Sequence, residues 1–124
     1  MKPQQKPFYK YNISMEIIGK QTPQDIFSCI CDVKPQLAFN ELFQYIMARE
    51  VAIMYLRKNG KTYKEIGEIM GYATASRISQ LLRYGVLKLT RKKMAHLIFD
   101  CTKCTCDEQK LRQKAEKVFR ISLL

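Results

Sequence analysis

Residues 49–85 read REVAIMYLRKNGKTYKEIGEIMGYATASRISQLLRYG, and this stretch decides the fold that we predict. Residues 51–56, VAIMYL, are apolar nearly all round, which is typical of a helix buried on every side. Thr62 and Glu65 have the spacing of a capping box, in which each side chain satisfies a backbone amide at the start of a helix. Gly71 ends this second helix, since glycine readily adopts the left-handed conformation of a C-terminal cap.

A third helix follows the turn at Gly71. Ile78, Leu81 and Leu82 recur at helical spacing and are expected to face the core, as are Ile66, Ile69 and Met70 of the preceding helix. We expect the third helix to run to Gly85 or slightly beyond. Its outward residues are then polar: Ser76, Arg77, Ser79, Gln80, Arg83 and Tyr84. A buried helix, a short capped helix, a tight turn and a helix with a polar outer face form the pattern of a helix-turn-helix.

Helical signals continue on both sides of this stretch. A cap at Thr22 predicts a short helix to about Asp32, and Gln36 to Lys58 predicts one long helix or two with a bend. Downstream, Thr90 is predicted to cap a helix that contains residues 94–99. A second capping box at residues 105–108 predicts a last helix to Leu124, with an apolar stripe of Leu111, Ala115, Val118 and Phe119.

We therefore predict an all-α protein of about five to six helices. Residues 1–21, with two prolines and interleaved lysines, indicate a flexible N-terminal arm. Residues 22–94 form the predicted helix-turn-helix domain, and residues 95–124 form a C-terminal helical extension with a cysteine cluster. Docking of the last helix on the domain is the simplest use of its apolar stripe.

The charge distribution indicates a polyanionic partner. The 124 residues have a net charge of +11, and residues 47–94 alone carry eleven Lys and Arg against three acidic residues, a net of +8. Such a concentration is typical of proteins that bind nucleic acid or an anionic membrane surface, although a basic face can also serve solubility alone. No stretch has the roughly 18 consecutive apolar residues of a membrane span, and no signal peptide is evident. We expect a cytoplasmic protein that does not bind membranes.

Together, the motif and the charge predict binding to double-stranded DNA. The third helix would enter the major groove, where Arg and Gln side chains read base edges. The predicted DNA-contacting residues are Arg57, Lys58, Lys61, Thr62, Lys64, Thr74, Ser76, Arg77, Ser79, Gln80, Arg83 and Tyr84. The alternative is that the helical hairpin is only part of the core, as in many helical domains.

The same stretch resembles the C-terminal DNA-binding domain of the bacterial replication initiator DnaA. The resemblance covers about residues 25–85 and is carried by MAREVAIMYLRK, at 47–58, and TYKEIGEIMGYATASRISQLL, at 62–82. The residues that match the family pattern are Ala48, Arg49, Val51, Ala52, Glu65, Ile66, Gly67 and Gly71. The family's base-reading Asp-His-Thr-Thr falls on residues 74–77, Thr-Ala-Ser-Arg, without an identity. The resemblance implies a helix-turn-helix that binds duplex DNA, in replication control or transcription regulation.

Residues 62–72, TYKEIGEIMGY, together with Arg77, Gln80 and the tail VLKL at 86–89, are also similar to the fourth conserved region of bacterial sigma factors. That resemblance implies an alternative function: a sigma-like or helical adaptor module that binds RNA polymerase or a replication protein. In this alternative, contacts to DNA are secondary. Strong binding to such a protein at a salt concentration where DNA binding has vanished would distinguish the two.

The five cysteines permit a metal site but do not make one the favoured interpretation. Candidate tetrahedral zinc ligands are His96, Cys101, Cys104 and Cys106, or the last three with one of the upstream pair, Cys29 and Cys31. The spacing CxxCxC is irregular and lacks a second CxxC, so we predict no metal. An odd number of cysteines also argues against a disulfide framework, with a single bridge left open.

Enzymatic activity is not expected. The GKT at residues 60–62 lacks the earlier glycine of a phosphate-binding loop, because that position holds Tyr55. His96 is the only histidine and has no evident triad, and Glu65 and Glu68 lie within the helix-turn-helix, where surface charges are the simpler interpretation. We predict neither an enzyme nor a cofactor.

Overall fold

Eight α-helices account for the regular structure of the described residues, which are 7–71, 74–103 and 107–123 of a computed structural model. The helices are α1 Pro7–Ile18, α2 Pro23–Phe27, α3 Phe39–Leu42, α4 Ala48–Lys58, α5 Tyr63–Met70, α6 Ala75–Thr90, α7 Lys92–Ile98 and α8 Glu108–Phe119. The prediction of an all-α fold is confirmed. The helices of these residues outnumber the five to six expected, because the predicted arm and the predicted 36–58 helix contribute additional short elements.

Helix α4 is the central element. Val51, Ala52, Ile53 and Met54 are all fully buried, as the apolar run at this point of the sequence predicts. Helices α1, α5, α6 and α8 each pack against α4. The helix ends at Lys58, Asn59 is its C-terminal cap, and Gly60 follows with φ of 92°, in the left-handed region that glycine adopts without strain.

The region predicted as one long helix or two with a bend consists of two helices, α3 and α4. Each helix has a glutamate at its third position that turns back to the start of the helix. Glu41 accepts a hydrogen bond from the Ala38 amide at 3.2 Å, and Glu50 accepts one from the Met47 amide at 3.0 Å. These bonds satisfy amides that a continuous helix would have paired differently, so they fix two separate helix starts.

The N-terminal segment differs from the prediction of a flexible arm over residues 1–21. Helix α1 spans Pro7–Ile18 and packs on α4, and Ile18 is 1% exposed. The apolar residues of the segment ISMEII, at 13–18, supply apolar surface for this packing. Residues 1–6 of the predicted arm, with one proline and two lysines, lie outside the described part of the chain.

The C-terminal helices belong to the same core as the helix-turn-helix. One buried cluster extends from Ile18 to Phe119 and includes Ala95 and Ile98 of α7 with Leu111 and Ala115 of α8. The predicted boundary between residues 94 and 95 falls inside α7 and does not separate two units. Docking of the last helix is confirmed: α8 packs on α4 and α6.

Several predicted helix ends are shifted. Helix α2 ends at Phe27 and not near Asp32, and α8 ends at Phe119, where Arg120 takes a left-handed φ of 53°, and not at Leu124. The capping box predicted at residues 105–108 extends outside the described residues. The start of α8 is capped instead by Asp107, whose side chain accepts a hydrogen bond from the Lys110 amide at 3.1 Å.

Thr90 does not cap a helix, contrary to the prediction. It is the last residue of α6 and is fully buried, and its hydroxyl donates to the Val86 carbonyl at 2.8 Å. It also accepts a hydrogen bond from Nε of Arg112 at 3.1 Å. Thr90 therefore connects α6 to α8 and is not free to cap α7.

None of the helices in the described ranges is both long and apolar enough to cross a membrane.

Candidate nucleic-acid interface

The start of α5 is a complete capping box, as the sequence predicts. The Glu65 amide donates to Oγ1 of Thr62 at 3.1 Å, and the Thr62 amide donates to the Glu65 carboxylate at 2.9 Å. These hydrogen bonds from Thr62 hold the pKa of Glu65 below its ordinary value. The carboxylate thus occupies the positive end of α5, a place that would otherwise suit a phosphate.

The turn that connects α5 to α6 begins at Gly71. This residue caps α5 with φ of 77°, a conformation that a residue with a Cβ adopts only with strain. Ile66, Gly67 and Met70 of α5 are buried as expected, but Ile69 is 42% exposed and does not face the core as predicted. The second half of α5 therefore presents one apolar side chain to solvent.

Helix α6 begins at a cap that leaves its positive end open. Oγ1 of Thr74 accepts a hydrogen bond from the Arg77 amide at 3.1 Å, and the first turn contains no acidic residue. This distinguishes α6 from α5, whose first turn is occupied by Glu65. Of the two helices, α6 offers the positive end that can approach a polyanion.

The buried face of α6 is as predicted, and of the six residues predicted to face outward only Ser79 and Arg83 are half-buried. Ile78, Leu81 and Leu82 are buried, whereas Ser76, Arg77, Gln80 and Tyr84 are exposed. On the exposed face, Nη1 of Arg77 donates to Oε1 of Gln80 at 3.0 Å, one turn further along the helix. The pair forms a donor-rich surface of side chains that can hydrogen-bond to base edges.

Helix α6 is longer than predicted because Gly85 is a packing residue and not a stop. A Cβ built at Gly85 would lie 3.1 Å from Cβ of Glu50 and 3.3 Å from Cε of Met54. The missing side chain lets α6 approach α4 closely. Beyond Gly85, the Lys88 ammonium pairs with the buried Glu50 carboxylate at 3.0 Å, which fixes α6 against α4.

Arg57 is half-buried and its guanidinium has partners within the protein, although the sequence predicts it among the DNA contacts. Its Nε donates to the Phe119 carbonyl at 2.8 Å, and its Nη2 donates to the Arg120 carbonyl at 3.3 Å. Its Nη1 donates to the Lys61 carbonyl at 3.1 Å, and the guanidinium lies over the Tyr63 ring at 4.1 Å from the centroid. Arg57 therefore joins the end of α4 and the start of α5 to the end of α8.

Lys58 and Arg83 also have partners within the protein. The Lys58 ammonium donates to the carbonyls of Asp25 and Ile26, the latter at 3.3 Å, at the end of α2. The Arg83 guanidinium donates to the Ser122 carbonyl at 3.0 Å and to the Ser79 hydroxyl. These contacts bind the α2 region and the C-terminal segment to the helix-turn-helix.

The twelve predicted DNA-contacting residues thus fall into two groups. The exposed group is Lys61, Thr62, Lys64, Thr74, Ser76, Arg77, Gln80 and Tyr84, and the half-buried group is Arg57, Lys58, Ser79 and Arg83. The exposed group lies at the starts of α5 and α6 and along the outer face of α6. The half-buried group connects this surface to the rest of the molecule.

The sequence missed the end of α8 as a neighbour of this surface. Lys117 and Arg120 are exposed there, and Arg120 accepts and donates hydrogen bonds in its contact with Arg57. These residues are more than 45 positions away from α5 in the chain. A contact between residues so far apart in the chain leaves no local pattern in the sequence. The regular spacing of the basic residues within 110–120 was the only sign of a basic surface on this segment.

The described cysteines include disulfide-bonded ones, a possibility that the sequence left open. Cys31 and Cys101 are both disulfide-bonded, whereas Cys29 is a free thiol among the cysteines that the structure describes. The short antiparallel pairing of Val33 with Phe99 places residues 31 and 101 opposite each other. A free thiol thus coexists with disulfide-bonded cysteines, which is compatible with an odd cysteine count.

The suggested zinc site is not present as a cluster in the described part of the chain. Nδ1 of His96 lies 3.3 Å from Sγ of Cys101, but the disulfide engages that sulfur. No group of three or more potential metal ligands occurs among the described residues. Cys104 and Cys106, the other two suggested ligands, lie outside these residues.

Comparison of the chain with protein-family models, with curated proteins and with solved structures finds no significant match.

Proposed function

We propose that this protein binds double-stranded DNA in a sequence-dependent manner through α5 and α6, in replication control or transcription regulation. The observation that supports it most is the composition of α6: one face buried in the core and the other formed by Ser76, Arg77, Gln80 and Tyr84. A capped start without an acidic residue gives this helix a positive end. A helix of this kind can insert into the major groove with its N-terminal half against the bases.

In this proposal, some of the predicted residues contact bases and others contact phosphates. Arg77 and Gln80 contact base edges, because arginine suits guanine and glutamine suits adenine in the major groove. Lys61 and Lys64, exposed at the start of α5, contact phosphates. Arg57 and Arg83 act indirectly, since their guanidinium groups have carbonyl partners within the protein.

The resemblance to the DnaA C-terminal domain adds an expectation about the target. The positions at which that family reads its bases hold Thr74, Ala75, Ser76 and Arg77, and none of these residues is the family's own. We therefore expect this protein to select a DNA sequence that differs from the initiator's usual box. This expectation concerns the target and not the mode of binding.

The test is selection from a random pool of DNA duplexes, with sequencing, at two salt concentrations. An enriched motif that persists at the higher salt supports the proposal, because phosphate contacts alone weaken steeply as salt rises. Arg77→Ala with Gln80→Ala should broaden or abolish the motif. The control is Gln109→Ala with Lys110→Ala, which removes one cation and one amide from exposed positions of α8.

A second candidate function is the helical adaptor that binds RNA polymerase or a replication protein. It is favoured by Tyr45 and Met47, which are 55% and 47% exposed and only two residues apart before α4. Exposed large apolar side chains next to each other are typical of protein contacts. If the selection enriches no motif, and Tyr45→Ala with Met47→Ala abolishes binding to such a protein at high salt, this second function replaces the first.

A further inference from the structure

The C-terminal end of α8 and the start of α5 lie side by side because Arg57 binds both. The Arg57 guanidinium donates to the carbonyls of Phe119 and Arg120 on one side and to that of Lys61 on the other. In return, Nη2 of Arg120 donates to the Arg57 carbonyl at 3.5 Å. The exposed side chains of Lys61 and Arg120 therefore belong to one continuous region of the surface.

Arg57 also changes the electrostatics of the end of α8. The last carbonyls of a helix carry partial negative charge, which repels a phosphate. Here the carbonyls of Phe119 and Arg120 accept charge-assisted hydrogen bonds from Arg57, which offset that charge. The end of α8 is thereby compatible with a polyanion.

The acidic residues of α8 face partners within the protein, whereas its lysines face solvent. Glu108 pairs with Arg112 at 3.0 Å, and the Glu116 carboxylate accepts a hydrogen bond from the Leu123 amide at 2.9 Å. The exposed charged positions of this helix are Lys110, Lys114 and Lys117, spaced so that they follow one side of the helix. Arg120 extends this basic side to the neighbourhood of Lys61.

We infer that the last turn of α8, through Lys117 and Arg120, binds the phosphate backbone of the same DNA duplex, beside the segment that α6 reads. This inference rests on the proposed function and extends its contact surface beyond the helix-turn-helix. Duplex DNA carries one charge per about 1.7 Å of helix axis, so a surface that runs from Lys64 past Lys61 to Arg120 faces several phosphates. The contact is independent of sequence, because it reaches no base.

Arg83 supports the same arrangement from the other side. Its Nε donates a hydrogen bond to the Ser122 carbonyl at 3.0 Å, which keeps the C-terminal segment against α6. Base reading is thereby confined to the part of α6 that precedes Arg83, where Ser76, Arg77 and Gln80 lie. The segment after α8 then borders the duplex.

The decisive experiment compares the salt dependence of binding to the selected duplex. Lys117→Ala with Arg120→Asn removes both cations, and asparagine tolerates the left-handed conformation of position 120. We expect the slope of log affinity against log salt to fall in magnitude by about 2, one for each lost phosphate contact, with the selected motif unchanged. Hydroxyl-radical footprinting should show lost protection at the flank of the site.

The matched control is Lys103→Asn with Lys110→Ala, which removes the same charge from exposed positions before and near the start of α8. For this control, the slope of log affinity against log salt should fall by less than half as much as for the variant at Lys117 and Arg120. Its footprint should match that of the original protein. Lys117→Glu serves as a second variant, because it leaves Arg120 and the helix end intact. It should weaken binding about 10-fold or more at low salt through repulsion of the phosphate.

The possible failures are distinguishable. If the Lys117 and Arg120 variants retain the original slope and footprint while Arg77→Ala with Gln80→Ala loses the motif, the inference about α8 is wrong and the proposed function stands. If the original protein shows no affinity for duplex DNA even at low salt, both are wrong. A smaller salt dependence of binding in the Lys117 and Arg120 variants, but not in the control, supports both the proposed function and the inference about α8.

Discussion

The guanidinium of Arg57 has three carbonyl partners and one aromatic ring, and those partners come from two distant parts of the chain, residues 61–63 and 119–120. Its partial burial lowers the pKa of the group, as expected when a cation leaves water, and hydrogen bonds to carbonyls compensate for that loss. Arg57 has the residue type and the sequence position that favour a DNA contact. In the structure it instead acts as a connector, because it joins two distant parts of the fold. Its sequence context gave no sign of this, since Phe119 is 62 positions away.

Arg57→Ala should lower the free energy of unfolding by about 2 kcal/mol, because it leaves several carbonyls without their charged donor. Arg57→Lys should recover only part of this, since an ammonium cannot reproduce the fork of the guanidinium. Urea denaturation measures both. Lys61→Ala, at an exposed neighbouring position, is the control and should change stability by less than about 0.5 kcal/mol. Equal effects of Arg57→Ala and Lys61→Ala would contradict the connector role.

Gly85 is a second residue with a role that depends on a distant neighbour. Gly85→Val should lower the free energy of unfolding by about 2 to 3 kcal/mol, because its Cβ would lie 3.1 Å from Cβ of Glu50. Glu50 cannot move away easily, since Lys88 and the Met47 amide both bind its carboxylate. Tyr84→Val provides the matched control at an exposed position one residue earlier. Thermal denaturation should separate the two variants clearly, and similar melting temperatures would refute close packing at Gly85.

At the scale of elements, helix boundaries that a local motif marks could be predicted from the sequence, whereas boundaries that depend on packing could not. Thr22 and Thr62 are caps where the sequence placed them, because a capping box is formed by residues three positions apart. The ends of α2 and α6 were misplaced. Those ends depend on packing: α6 continues past Gly85 because Val86 and Leu89 bury against the core.

The capping box of α5 should make stability depend on pH. The Glu65 pKa is lowered in the folded protein, so its contribution to stability is present above its unfolded pKa of about 4.3 and is lost as the pH falls through the lower folded value. Glu65→Gln removes this contribution, so the stability difference from the original protein should shrink between pH 6 and pH 3. Urea midpoints across that range measure it. Glu68→Gln removes an acid of the same helix outside the box and should show a smaller change.

At the scale of the whole molecule, much of the positive charge that indicates a polyanion partner serves the fold. Of the basic residues within 47–94, Arg57, Lys58, Arg83 and Lys88 contact groups of the protein. The net charge can be counted from the sequence. Which basic side chains bind groups of the protein, and which remain available to another molecule, could not be predicted from it. The basic end of α8, in turn, adds charge to this surface from a segment predicted as a separate extension.

The disulfide-bonded cysteines should contribute to the stability of the whole chain. Cys31 is buried and lies beside the pairing of Asp32 with Asp100, whose amide donates to the Asp32 carbonyl at 2.8 Å. A cross-link restricts the unfolded chain, so Cys31→Ser should lower the free energy of unfolding by about 2 to 4 kcal/mol. A reducing agent should lower the melting temperature of the original protein as well. Cys29→Ser is the control, because it replaces a free thiol two positions away. An identical melting temperature with and without reductant would show that the cross-links do not stabilise the fold.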